Sequence, residues 1–260
     1  MSPSREGFDA NEGAGAAGLT FSNPKVQRLR RLLGRRSARS EEGVVVVAGE
    51  SLLAQAVAAG WSVEAQFVAP GASPVECDAP VHYLAPNVIE RVATTDTPRP
   101  VIAVLRRLDR VLPQQPTFLV LCEHLSDPGN AGTIIRSAEA AGADGVVFTP
   151  GSVDPFGPKV VRSSAGSVFR VPVVVGALDA VRETGVRLLA TSSHRGTVYS
   201  DADLVGPVAL VVGNEAHGLP DDVAVDEWVT IPHHGPTESL NVAMATTVLA
   251  FEVARQRRGR

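Results

Sequence analysis

Three short stretches of the 260-residue chain collect side chains that could do chemistry. The first runs Leu125-Ser126-Asp127-Pro128-Gly129-Asn130-Ala131-Gly132-Thr133-Ile134-Ile135-Arg136. Pro128 fixes its own φ and pushes Asp127 out of helical conformation, so Asp-Pro-Gly reads as a turn. Asn130 is then placed to cap the helix that follows. Arg136 falls about a turn and a half into that helix. Among Ile134, Ile135 and Ala138 a guanidinium needs an anion or a carboxylate as partner. The second stretch is Val212-Gly213-Asn214-Glu215-Ala216-His217-Gly218-Leu219-Pro220, directly after an apolar run. Its glycines permit backbone shapes and close approaches that other residues forbid. The third runs from Ile231-Pro232 through Thr237-Glu238-Ser239-Leu240-Asn241-Val242-Ala243. Ser239 is a candidate N-cap, whereas Asn241, one residue further into the expected helix, is a poor helix former. Each stretch also has a plainer reading: a strand–turn–helix with a surface Arg, an ordinary turn, a capped helix.

Two other chemistries fit poorly. His194, His217, His233 and His234 lack metal-ligand spacing, and neither Cys77 nor Cys122 lies near them. No G-x-S-x-G elbow surrounds Ser239, which argues against a serine hydrolase. Cys122 ends an apolar run and reads as a small buried hydrophobe.

The elements that must position these stretches fall into two sections. Residues 1–20 are rich in Gly, Ala and Ser without periodicity and are expected to be a disordered tail. Within them Gly13-Ala14-Gly15-Ala16-Ala17-Gly18 fits a dinucleotide-binding pattern by letter alone, because no strand precedes it. From Asn23 a basic helix is expected to reach about Arg36, with Val26, Leu29, Leu32 and Leu33 on one side. A strand (44–48), a helix (51–59), a strand (64–68) and helices at 86–94 and 101–108 follow. Pro113-Gln114-Gln115-Pro116 marks the expected boundary between domains at 21–112 and 113–260. Beyond it come strands at 118–122, 145–148, 171–175, 187–191, 208–212 and 227–231. Helices are expected at 131–141, 158–164, 178–184 and from about Leu240 to Gln256. Several of these strands are continuous apolar runs, as in a parallel α/β sheet covered on both faces. Such sheets bind ligands beyond the carboxyl ends of their strands, and the second and third stretches occupy those positions. The last helix is apolar on two faces, Leu240, Met244, Val248 and Phe251 on one, Val242, Ala245, Leu249 and Val253 on the other. It is therefore expected to be buried in the domain or in a dimer interface.

Net charge is −4, so average charge does not make the chain a polyanion binder. Its distribution does: residues 23–39 hold Lys25, Arg28, Arg30, Arg31, Arg35, Arg36 and Arg39 and no acid, a stripe suited to RNA phosphates or to a solvated helix face. No apolar stretch approaches the length that spans a bilayer, and the start lacks a signal-peptide core. The expected compartment is the cytoplasm.

Together and in this order, the three stretches resemble the motifs of the SpoU (TrmH-like) RNA 2′-O-ribose methyltransferases. Asn130 and Arg136 match the first motif, Gly213-Asn214-Glu215 with Gly218-Leu219 the second, and Ser239-Leu240-Asn241-Val242 the third. Lys159-Val160-Val161-Arg162 with Ser164-Ala165-Gly166, and the strand into Thr191, extend the resemblance over residues 117–255. Within the family the chain looks most like the thiostrepton-resistance type of ribosomal RNA enzyme. The N-terminal section resembles the family's small substrate-binding domain related to ribosomal protein L30e. The chain departs from the pattern at Ala216, where the family commonly has Gly and where a methyl group restricts the backbone.

The resemblance implies a parallel α/β sheet with a deep C-terminal trefoil knot, S-adenosyl-L-methionine as cofactor, and methylation of a ribose 2′-hydroxyl in ribosomal RNA, 23S first. It further implies a homodimer formed through the catalytic domain. By carry-over, backbone groups at Thr191, Gly213, Ile231 and Leu240 would hold the cofactor. Asn130, Arg136, Glu215, Ser239 and Asn241 would face the methyl acceptor, and Arg162 joins the basic stripe toward RNA. A guanidinium stays charged near neutral pH, so Arg136 is expected to clamp a phosphate and polarise the hydroxyl rather than take its proton. A transfer-RNA ribose methyltransferase and a non-catalytic ribosome-assembly factor remain as alternatives. The additional N-terminal domain favours ribosomal RNA over the first, and the intact Asn130, Arg136, Glu215 and Asn241 argue against the second.

Overall fold

The structure, a computed structural model, describes residues 18–95, 97–236 and 239–258. The expected tail up to Ala17, with most of its glycine pattern, and Thr237-Glu238 of the third stretch lie outside the described residues. The chain forms two compact units, one ending at Leu108 and including Phe156–Pro158, the other formed by Asp109–Pro155 and the residues from Lys159 onward.

In the first unit Asn23 accepts from the Lys25 N–H at 2.9 Å and starts α1 (Pro24–Gly34), with Pro24 in the first turn where a missing N–H costs nothing. Val26, Leu29, Leu32 and Leu33 point inward. Burying each such side chain stabilises by about 1.5–3 kcal/mol. The expected helix to Arg36 is interrupted: Arg35 is extended and α2 (Arg36–Glu42) begins anew. Gly34 weakens the helix at that point. The buried Arg39 of the second piece donates to the Leu32 carbonyl at 2.7 Å, satisfying an end of the first.

β1 (Val44–Ala48), α3 (Glu50–Ala58), β2 (Val63–Val68), β3 (Val81–Tyr83), α4 (Val88–Val92) and β4 (Val101–Arg106) complete this unit. The helix expected at 101–108 is corrected to a central strand over Val101–Arg106. β4 pairs antiparallel with β1 and β2 in the sheet order β1-β4-β2-β3, and Val101–Leu105 are all buried. A short unbroken apolar run carries no periodicity to separate helix from strand, and the β-branched Val101, Ile102 and Val104 favour the strand.

The second unit contains β5 (Phe118–Cys122), α5 (Pro128–Ala140), β6 (Gly145–Phe148), α6 (Pro158–Ser163), β7 (Val173–Val175), α7 (Leu178–Arg182), β8 (Arg187–Ser192), β9 (Thr197–Val198), β10 (Val208–Val212), β11 (Glu227–Thr230) and α8 (Val242–Arg257). Its strands lie in the order β7-β6-β5-β10-β8-β11-β9, every pairing parallel. One face packs Leu119, Leu121, Leu188, Ala190, Ala209 and Val211 with Val181 of α7. Cys122 is fully buried, and burial raises its thiol pKa. α8 packs against α5 and β10, and Ser137 of α5 shares a 2.7 Å hydrogen bond with Thr247 of α8. Among the described residues no helix is long and apolar enough to cross a membrane.

Candidate active site

Parallel pairing of the neighbours β5, β10, β8 and β11 sends their carboxyl ends to one edge of the sheet. The loops leaving those ends enclose a cavity of about 570 Å3. Asn130, Thr191, Gly213, Glu215, Ile231, Ser239, Leu240 and Asn241 all line it. Eight of the nine expected cofactor and catalytic positions therefore meet in one place; Arg136 does not line the cavity.

The first loop and its helix are built by Asp127, which corrects the expectation that Asn130 is the cap. Asp127 Oδ1 accepts the Asn130 N–H at 2.8 Å, and Pro128 occupies the first helical turn. An acid followed by proline is itself a helix-start signal. With the cap supplied by Asp127, the Asn130 side chain is free for other work. In the third loop the cap also moves, by two residues toward the C-terminus. Asn241, not Ser239, caps α8, its Oδ1 accepting from Ala243 N at 2.9 Å and Met244 N at 3.2 Å.

The second loop closes on itself. Asn214 and Gly218 exchange backbone hydrogen bonds at 3.1 and 2.9 Å. A Cβ on Gly213 would sit 2.3 Å from the Gly218 carbonyl carbon, so that position admits only glycine. Asn214 braces the turn: Oδ1 accepts from Ala216 N at 2.9 Å and Nδ2 donates to the His124 carbonyl at 2.9 Å. Ala216 has no positive φ, so its methyl is accommodated without strain.

Glu215 joins the loops. Its Oε2 accepts from Ser126 N at 3.1 Å and Ser126 Oγ at 2.7 Å, and its Oε1 from Asp127 N at 2.8 Å and Asn130 Nδ2 at 3.2 Å. Four donors fill the acceptor capacity of a carboxylate. Burial pushes this carboxyl's pKa up, but hydrogen bonds from the Ser126 hydroxyl and from backbone N–H groups outweigh it and hold the pKa at about 2. The chain of bonds continues, Asn241 Nδ2 donating to Asn130 Oδ1 at 3.0 Å. Both amides are thus oriented from the two ends: the α8 cap forces Asn241 to present its NH2, and the carboxylate forces Asn130 to do the same. A weakly basic carboxylate with no vacant lone pair is suited to holding geometry, not to accepting a substrate proton.

Arg136 lies on the exposed side of α5, with Ile134, Ile135 and Ala138 buried behind it. Water solvates a guanidinium in that position, so no carboxylate of the fold is required to hold it there. Among the described residues it has no ion pair. In the basic stripe Arg28 bridges Glu42 and Glu64 at 2.7 Å each, and Arg31 reaches Glu42 at 2.6 Å. Arg30, Arg35 and Arg36 are exposed, Lys25 is half-buried, and Arg162 is exposed on α6. The residues that stand outside the expected catalytic and cofactor sets are Ser126, Asp127 and Asn214. The first two had a readable signal only in the Asp-Pro start; the Ser126–Glu215 contact spans 89 positions and leaves none.

Comparisons with known proteins agree with this geometry. The model of the SpoU rRNA methylase family matches residues 117–251, and that of an MRM3-like substrate binding domain matches residues 23–103. A 23S rRNA (uridine(2479)-2′-O)-methyltransferase of Streptomyces viridochromogenes is 31% identical over 264 residues, covering 92% of each chain. The 23S rRNA (guanosine(2553)-2′-O)-methyltransferase RlmP of Bacillus subtilis is 31% identical, covering 89% of this chain and 96% of its own. The crystal structure of the SpoU methyltransferase AviRb from Streptomyces viridochromogenes with the cofactor AdoMet superposes with a TM-score of 0.82 at 32% identity, over 92% of this chain and all (100%) of that one. With the family model spanning the parallel-sheet unit and its cavity, and with relatives of this identity matched nearly end to end, the chain belongs to the SpoU rRNA methylase family.

Proposed function

We propose that this chain transfers a methyl group from S-adenosylmethionine to a ribose 2′-hydroxyl of 23S ribosomal RNA, the substrate that both relatives' names carry. The observation that carries the reading is the Glu215–Asn130–Asn241 chain of hydrogen bonds, which ties three separate loops together at one cavity. Its volume of about 570 Å3 falls in the range of small-molecule sites. Its lining mixes Leu219, Ile231 and Leu249, suited to an adenine, with Ser192 and Asn214, suited to an amino acid's polar groups. Backbone groups at Thr191, Gly213, Ile231 and Leu240 would hold the cofactor, whose sulfonium supplies the methyl group.

The displacement is in line, so the protein's contribution is mainly position. Asn130 and Asn241, locked in orientation, and the nearby Ser239 hydroxyl would hold the acceptor ribose. Arg136, exposed and unpaired, would take a substrate phosphate and polarise the hydroxyl. Its proton would leave to solvent, since Glu215 is saturated and a guanidinium remains charged. Residues 21–112 would form an L30e-like RNA-binding domain and residues 113–260 the catalytic domain. The C-terminal loops would thread a trefoil knot, as the resemblance to the family implies. A homodimer would form on the exposed apolar stripe of α8, and the cell compartment would be the cytoplasm, where ribosomal RNA is the substrate.

The test is a map of 2′-O-methyl groups on total RNA from cells with and without the protein. The expected result is one additional methyl in 23S rRNA. A new methyl in transfer RNA alone would overturn the substrate, and no measurable calorimetric binding of S-adenosylmethionine would overturn the enzyme.

A further inference from the structure

Sorting the N-terminal cations by their partners divides the stripe into two faces. Arg28 and Arg31 are held by Glu42, Arg28 and Arg106 by Glu64, and Arg39 is buried against α1 carbonyls. Those charges are spoken for inside the unit. Arg30 of α1 and Arg91 of α4 are different: both are exposed, and among the described residues neither has an acidic partner. They converge instead on one aromatic ring. The Arg91 guanidinium lies 3.7 Å from the centroid of Phe21 and that of Arg30 5.5 Å from it. Phe21 is half-buried and packs one side against the core of the unit, so the ring is fixed in place.

Two like charges sharing one ring repel each other, and the ring's attraction for a cation at an exposed site is worth only about 0.5–1 kcal/mol each. A bound anion between them would relieve that repulsion. Arg91 sits over the Phe21 ring and is exposed, so a flat guanidinium is within reach of solvent there, and unpaired bases stack on such groups. A phosphate and an adjacent flat base occur together along an RNA strand.

We propose that Phe21, Arg30 and Arg91 form a stacking and phosphate-binding platform for an unpaired stretch of the RNA substrate, while the ion-paired Arg28 and Arg31 serve the fold. This inference rests on RNA being the substrate. The test measures binding of the full-length chain to a 23S rRNA transcript across a series of salt concentrations, with melting curves to confirm that each variant folds. The joint change Arg30→Ala with Arg91→Ala is expected to weaken binding about ten-fold and to lower the slope of log affinity against log salt by about one to two. Arg91→Lys is expected to keep the slope and still weaken binding severalfold, since charge survives and the stacking plane does not. Phe21→Leu, which keeps apolar bulk on the core, is expected to behave like Arg91→Lys. Arg31→Ala is expected to stay within about two-fold of the unchanged chain, as a charge already neutralised by Glu42. A double variant that binds like the unchanged chain, or an Arg31→Ala loss as large as that of the double variant, would overturn the platform. Failure of the unchanged chain to bind the transcript would overturn the RNA reading itself.

Discussion

At Glu215, Ser126 contributes both a backbone N–H and a hydroxyl, so one residue of the first loop supplies half of the hydrogen bonds on the carboxylate. Removing the hydroxyl strips one donor from Oε2 without touching backbone geometry. Ser126→Ala is expected to raise the Glu215 pKa by roughly one unit from its value of about 2. Turnover should fall, and Ser126→Thr should restore both. An NMR titration of the Glu215 carboxyl reads the shift directly, and an unmoved midpoint would show that the hydroxyl does not hold it. The sign of the pH dependence follows from the depressed value. Glu215's clamp is complete above its ordinary pKa of 4.5 and is lost as pH falls through about 2. At Arg136 the geometry separates a clamp from a point charge. Arg136→Lys is expected to lower turnover at least about ten-fold, because lysine cannot grip a phosphate through two N–H groups. If lysine keeps most of the turnover with saturating RNA, the phosphate clamp is wrong.

The start of α8 does two tasks that a substitution can divide. Asn241 Oδ1 caps the helix while Nδ2 holds Asn130. Asn241→Asp keeps the cap and adds a favourable charge at a helix N-terminus, but loses the donor toward Asn130. Asn241→Ala loses both, at a stability cost of about 1 kcal/mol. The aspartate variant should therefore melt like the unchanged chain and yet lose most of its turnover, and the alanine variant should lose both. Equal turnover in the aspartate variant would mean that orienting Asn130 is unimportant. What could be read in the sequence at this scale depended on how local the signal was. β5 and β10 were legible because a strand buried on both faces is a run of apolar residues bounded by turns. β4 was not, because a short apolar run satisfies both periods and only its pairing with β1 and β2 decides. The caps were displaced by two or three residues, since Ser239 and Asn241 are both competent cap types and tertiary geometry chooses between them. Arg136 lay on the correct helix, but which face it takes depends on where α5 packs. The three loops could be nominated by composition, whereas the bonds that join them cross 85 to 111 positions and exist only in the folded sheet.

For the molecule as a whole, α8 is apolar on two sides but buried on one. Ala243, Leu249, Ala250 and Val253 face the unit, while Met244, Val248 and Phe251 are 59%, 40% and 42% exposed. Apolar side chains spaced by four and three residues form one continuous stripe along the helix. An exposed stripe of that kind marks a surface that another molecule covers. Asn241, the N-cap of α8, lines the cavity, and α8 packs on α5, the helix that carries Arg136. In the proposed homodimer a second copy would cover the stripe, because a self-complementary two-fold contact sets the same apolar patch against itself. Met244→Glu together with Phe251→Glu places two carboxylates in that contact and changes nothing on the buried side of the helix. The unchanged chain is expected to sediment as a dimer. The double variant is expected to sediment as a monomer with its cofactor affinity kept, since neither residue lines the cavity. A double variant that remains dimeric would place the interface elsewhere on the molecule and leave the α8 stripe without a role in assembly.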